Sequence, residues 1–183
     1  MKLKTILFLL FVFLIVSIVV LLLVRHGSGN RIPDSPETIG EDTFDFSQNY
    51  LCRIYYWRGA GSLGDSCSLE MTVEPDEDGK PLVRVEYYNQ PAAGEKAVKK
   101  TVRVTSDAVR DIQEIIDRYG MKEWVDLPPA EFFALDAPST SLSWEFSDGS
   151  SYSIGSGDEL PDDGYRAIAE IRQYLMECAG IKE

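Results

Sequence analysis

Residues 66–73 read Ser-Cys-Ser-Leu-Glu-Met-Thr-Val, an unbroken alternation of polar and apolar side chains. Cys67, Leu69, Met71 and Val73 fall on one side of an extended chain, and Ser66, Ser68, Glu70 and Thr72 on the other. A period of two is the pattern of a strand with one face on a core and one in water. Such a strand needs neighbours, and the sequence supplies them in both directions. Pro75-Asp76-Glu77-Asp78-Gly79-Lys80 is turn chemistry leading to a second strand over Leu82–Tyr88. Another runs from Val98 to Thr105, with Val98, Val102 and Val104 on one face. Upstream, Tyr50–Trp57 is aromatic and β-branched, and Arg58-Gly59-Ala60-Gly61-Ser62-Leu63-Gly64 reads as the loop that ends it.

The period then changes. Ala108, Val109, Ile112, Ile115, Ile116 and Tyr119 recur at helical spacing, with Ser106 as N-cap and Gly120 as C-terminal stop. Met121 to Asp136 is irregular, broken by Pro128-Pro129, with Trp124, Phe132, Phe133 and Leu135 expected to fold over the core. Leu142, Trp144 and Phe146 alternate with polar residues, and Asp148-Gly149 separates them from Tyr152 and Ile154. That pair predicts a hairpin with a type I′ turn. A last helix begins at Asp162 or Asp163, with Tyr165, Ile168, Ile171, Leu175 and Cys178 on one face. The sum is an α+β fold: an antiparallel sheet of about five to six strands with two helices packed on one face.

Ahead of this domain, Thr5 to Val24 is an uncharged run of twenty residues. As a helix it spans roughly 30 Å, the hydrocarbon thickness of a bilayer. The competing reading is a cleaved signal peptide, but its apolar stretch would be shorter, and Arg25 and His26 stand where the cut should fall. The expected organisation is a short tail over 1–4, a transmembrane signal-anchor over 5–24, an acidic linker over 25–48 and a soluble domain over 49–183. A short basic tail before a long apolar run favours an extracytoplasmic domain on a single-pass anchor in the cell membrane.

The net charge is −12; Lys2, Lys4 and Arg25 contribute +3, leaving −15 on the remainder. That charge argues against nucleic acid as a partner. The only histidine is His26, beside the apolar run, which excludes Ser-His-Asp and Cys-His catalysis from the domain. Glu74-x-Asp76-x-Asp78-Gly79 resembles the front of a calcium loop, but the twelfth position is Val85 instead of glutamate, so it reads as a polar turn. Asp158, Glu159, Asp162 and Asp163 read as capping residues of the last helix. No catalytic, cofactor or metal site is expected. Cys52, Cys67 and Cys178 allow at most one intramolecular disulfide, with Cys52–Cys67 the most local pairing and three buried thiols the alternative. Tyr55, Trp57 and Tyr88 are candidates for a flat aromatic binding patch.

The pattern Ile112-x-x-Ile115-Ile116-x-x-Tyr119-x-Met121-x-x-Trp124, with Leu135-Asp136, Phe146-Ser147-Asp148-Gly149 and Leu160-Pro161 before the closing helix, resembles a group of small membrane-anchored or lipid-anchored extracytoplasmic proteins of Gram-positive bacteria. The likeness covers roughly Ala108 to Met176, and this chain lacks the lipid-attachment cysteine. The resemblance implies location and fold, with no activity attached. The function expected is a non-enzymatic module that binds a protein or cell-envelope component through its surface. The alternatives are a structural or regulatory subunit of a membrane complex and a carboxylate- or metal-dependent hydrolase.

Overall fold

The computed structural model describes residues 44–60, 64–92, 95–130 and 138–182; the helix expected over 5–24 lies outside them, as do Phe132, Phe133 and Leu135. No described helix is long and apolar enough to cross a membrane. The described strands are β1 (Leu51–Gly59), β2 (Ser66–Pro75), β3 (Pro81–Gln90), β4 (Val98–Val104), β5 (Ser139–Phe146) and β6 (Ser151–Gly155). The helices are α1 (Asp107–Arg118) and α2 (Gly164–Cys178), with a 3-10 turn over Met121–Glu123 between them. All six strands form one sheet in the order β4-β3-β2-β1-β5-β6, and every neighbouring pair is antiparallel. Strands β1 to β4 are a meander. The chain then returns through α1 and lays β5 on the far side of β1, so β1 is central.

The register arranges inward side chains in rows. One row runs Val102, Val85, Met71, Ile54, Trp144 and Tyr152; the next runs Tyr87, Leu69, Tyr56, Leu142 and Ile154. Most are buried, and with the helices they form one core cluster. Each fully buried side chain of this size contributes about 1.5–3 kcal/mol relative to exposure. Trp144 stacks on Tyr152 at 5.4 Å between ring centroids.

Helix α1 buries Ala108, Val109, Ile112, Ile115 and Ile116, the stripe that its spacing predicts. Helix α2 buries Ile171 and Leu175 of the expected face, together with Gly164, Ala167 and Met176. Tyr165 is 71% exposed, and Ile168 and Cys178 are half-buried. The true stripe begins with small residues, so residue hydrophobicity alone rotates the expected face. Between the helices, Arg118 and the Tyr119 hydroxyl both bind Glu170, at 2.6 and 2.8 Å, and the Tyr174 hydroxyl donates to Asp111 at 2.7 Å. Ser106 and Asp163 stand at the N-cap positions, but neither makes a side-chain cap bond. Ser106 keeps near-helical backbone angles, and the first amides of α1 bond to the carbonyls of Thr105 and Ser106.

One further expectation changes at the level of backbone geometry. The β5–β6 turn is a three-residue loop: the Gly149 N–H donates to the Phe146 carbonyl, Phe146 and Ser150 pair, and only Gly149 has positive φ, at 86°. That is a type I turn followed by a left-handed glycine, not a type I′ turn. The β2–β3 turn repeats it, with the Gly79 N–H donating to Asp76 and φ of 77° at Gly79. The Asp76 carboxylate of the calcium-like motif accepts the backbone N–H groups of Asp78 and Lys80.

The start of β1 is tied to the β5–β6 turn. The Asn49 side chain donates to Asp148 at 2.7 Å and accepts from Ser147 and Asp148, while Tyr50 and Ser147 exchange two more bonds. Just upstream, Phe44 and Phe46, inside the expected linker, pack against the core in an edge-to-face chain with Tyr50. Their apolar area outweighs the linker-like composition around them.

Candidate functional site

The outward face of the sheet has no helix over it among the described residues. Its register sets Lys99, Tyr88, Ser68, Trp57 and Ser141 in one cross-strand row and Thr101, Glu86, Glu70, Tyr55 and Ser143 in the next. Trp57 and Tyr88 are therefore separated by one strand, about 10 Å, with a serine between them. Tyr55 lies two residues along the strand from Trp57. The structure brings the three sequence-predicted residues onto one face. A Cβ on Gly59 would come within 2.6 Å of the Trp57 ring, so the ring lies over that glycine. The absence of a side chain there lets the indole lie down as a platform. The Tyr88 hydroxyl donates to Gln90 at 2.8 Å, and Tyr88 is 36% exposed. The result is a shallow strip of two aromatic plates with a serine floor, suited to stacking and hydrogen bonding together.

Three ion pairs lie on this face, and Arg103 stands opposite Arg84 outside them. Arg53 pairs with Glu70 at 2.7 Å, Lys99 with Glu86 at 3.0 Å and Arg84 with Glu74 at 3.3 Å. Glu70 and Glu86 stand directly opposite each other across β2 and β3. This is a carboxylate pair of the kind a hydrolase needs, but each member is held by a cation on a face that no described element covers against water. Among the described residues no group of three or more His, Cys, Asp or Glu side chains could hold a metal ion.

The cysteines are kept apart. In the β1–β2 register Cys67 lies opposite Arg58, six residues from Cys52 along β1. At the rise of a strand this is about 20 Å, whereas a disulfide needs Cα atoms within about 7 Å. A bulge between Leu51 and Arg53 also removes Cys52 from the face of Ile54, and its thiol donates to the Glu145 carbonyl at 3.3 Å. Burial pushes all three thiols above their ordinary value; Glu145 adds to this at Cys52, whereas Arg172 and Arg58 oppose it at Cys67. They are protonated and poor nucleophiles at neutral pH.

A concave site lies on the inward side, where the sheet runs past its apolar rows. The last inward row is Asn89, Cys67, Arg58 and Thr140. With α2 above it, this row bounds a groove of about 510 Å³, walled by Leu142, Ile154, Leu160 and Ile168, with Tyr165 at its side. A second chamber of about 270 Å³ holds Cys67, Tyr87 and Asn89. Arg58 and Arg172 line both chambers. Sequence reading assigns Arg58 to a loop and misses it. The available signal is parity: Ile54, Tyr56 and Arg58 are alternate residues of one strand.

No family model matches the chain, and no curated protein matches it.

Proposed function

We propose that the domain is a non-enzymatic binding module, held at the outer surface of the cell membrane by the apolar helix over 5–24, which engages a protein or cell-envelope component through its open sheet face. The observation that carries this reading is the strip of Tyr55, Trp57 and Tyr88 across three strands of a face without a covering layer among the described residues. Helices seal the other face, so these side chains are not needed for the core. The matched ion pairs around the strip keep its charge local and balanced, which favours a partner recognised by stacking and hydrogen bonds over one recognised by charge.

The test uses the full-length chain in nanodiscs and tryptophan emission. Trp124 and Trp144 are buried, so a surface partner acts on Trp57. Isolated envelope fragments should co-sediment with the protein and shift its emission, and the double variant Trp57→Ala/Tyr88→Ala should lose both effects. Binding that survives in the double variant rejects the open face as the contact surface. Protease applied to intact cells should remove the domain; resistance until the membrane is opened rejects the extracytoplasmic location.

A further inference from the structure

The groove beneath α2 is chemically unlike the rest of the molecule. The chain has thirty acidic residues against eighteen basic ones, yet two arginines on different elements, Arg58 on β1 and Arg172 on α2, converge on one concavity. Strand β1 is central, so an inward arginine there is not a device for protecting a sheet edge. Arg53, Arg84, Arg110 and Arg118 each have a carboxylate partner within 4 Å. Arg58, like Arg103 and Arg166, has none among the described residues.

Two nearby carboxylates are turned toward backbone N–H groups. Asp65, in the smaller chamber, accepts the Ala92 N–H at 2.6 Å, and Asp158 accepts the Gly155 N–H at 2.6 Å beside the larger one. The larger chamber falls within the range of about 300–1,000 Å³ typical of small-molecule sites, with apolar walls and a few convergent polar groups. A planar guanidinium offers paired donors to a carboxylate or phosphate.

We propose that this groove binds a small amphipathic oxyanion, a carboxylate or phosphate carrying an aryl or acyl body. The oxyanion meets Arg58 within the positive field that Arg172 shares, and the apolar body lies along Leu142, Ile154, Leu160 and Ile168. Thr140 and Ser156 supply polar groups at the rim. The site is on the opposite side of the sheet from the aromatic strip and stands independently of it.

The probes are 2-naphthoate and 2-naphthyl phosphate, with 2-naphthylmethylammonium as the cationic control, titrated into the full-length chain in zwitterionic nanodiscs against empty nanodiscs. Both anions should bind and the cation should not. Arg58→Gln should weaken anion binding at least tenfold, Arg58→Lys should recover part of it, and Ala169→Trp, which fills the groove from α2, should abolish it. Thermal unfolding of the variants should stay close to that of the parent, because Arg58 and Ala169 are both exposed. Trp57→Ala/Tyr88→Ala should bind the anions normally, which separates this test from that of the open face. Competition by nanodiscs containing anionic lipid identifies a lipid headgroup as the source of the oxyanion; sustained probe binding in their presence identifies a free solute. Failure of both anions to bind at millimolar concentration, equal binding of the cation, or unchanged binding in both Arg58→Gln and Ala169→Trp overturns the proposal.

Discussion

Ile54 and Tyr55 are consecutive in the chain, yet Ile54 is wholly buried against the helices and Tyr55 lies on the open face of the same sheet. The contrast extends across the sheet. Inward rows are Val, Leu, Ile, Met and Trp locked into one cluster, whereas outward rows are aromatic residues, serines and matched ions. Alternation thus lets one set of strands present two chemically separate faces, an apolar one that coheres with the helices and a polar and aromatic one that is open among the described residues. The separation is incomplete only at the last inward row, where Arg58 and Thr140 interrupt the apolar pattern.

Substitutions should expose this division by the size of their effects. The largest belongs to the inward face: Trp144→Ala should cost about 3–5 kcal/mol in urea unfolding, through lost burial and the cavity left behind. The Trp144 indole nitrogen is buried with no hydrogen-bond partner among the described residues. Trp144→Phe should therefore cost much less, since it removes an unsatisfied donor along with part of the ring. Next, Gly149→Ala should cost about 1–2 kcal/mol by forcing a side chain into the left-handed conformation of the β5–β6 turn. Tyr174→Phe should cost about 1 kcal/mol, because it removes the donor that binds Asp111 between the helices.

A smaller effect depends on pH. The Tyr119 hydroxyl and Arg118 hold the Glu170 carboxyl below its ordinary value of 4.5. The native state thus binds the proton less well than the unfolded chain does. The resulting stability is present above 4.5 and is lost as pH falls through the lowered native value. Solvent screening keeps it below about 1 kcal/mol. Glu170→Gln should flatten the acid limb of a stability-against-pH curve and leave the alkaline limb in place. Smallest of all, Trp57→Ala should change stability by no more than about 0.5 kcal/mol while abolishing envelope binding. A core-sized loss at Trp57 would break the comparison between the faces.

Much of the fold is legible in the sequence because it depends on local period. The alternation over residues 66–73 and the helical spacing from Ala108 to Ile116 both survive intact. What escapes depends on one residue of backbone geometry or on tertiary fit. A bulge at Cys52 reverses the face of β1 between Leu51 and Ile54, and no composition rule marks it. The loop around Asp148-Gly149 takes one more residue than its dipeptide suggests. The stripe of α2 includes the small residues Gly164 and Ala167, and the close packing of Gly164 against Leu160 counts for more than the hydrophobicity of Tyr165. The aromatic strip could be named from sequence because all three residues share strand parity through the register. Arg58 reads as part of a loop instead, because the glycines after it make the strand seem to end two residues early, at Trp57.

The ties between Asn49, Tyr50 and the β5–β6 turn have a mechanical consequence. A chain entering the domain through Asn49 arrives at β1, the middle strand, which is bonded on one side to β2 and on the other to β5. Tension delivered along that chain first loads the packing of Phe44 and Phe46 against the core, and next the Asn49 and Tyr50 bonds to Ser147 and Asp148. It then acts along β1, so that bonds to both neighbours are sheared together instead of being unzipped one at a time. An edge strand such as β4 or β6 would peel under the same pull. Entry through the centre makes a pull on this end of β1 harder to relieve than the same pull on an edge strand.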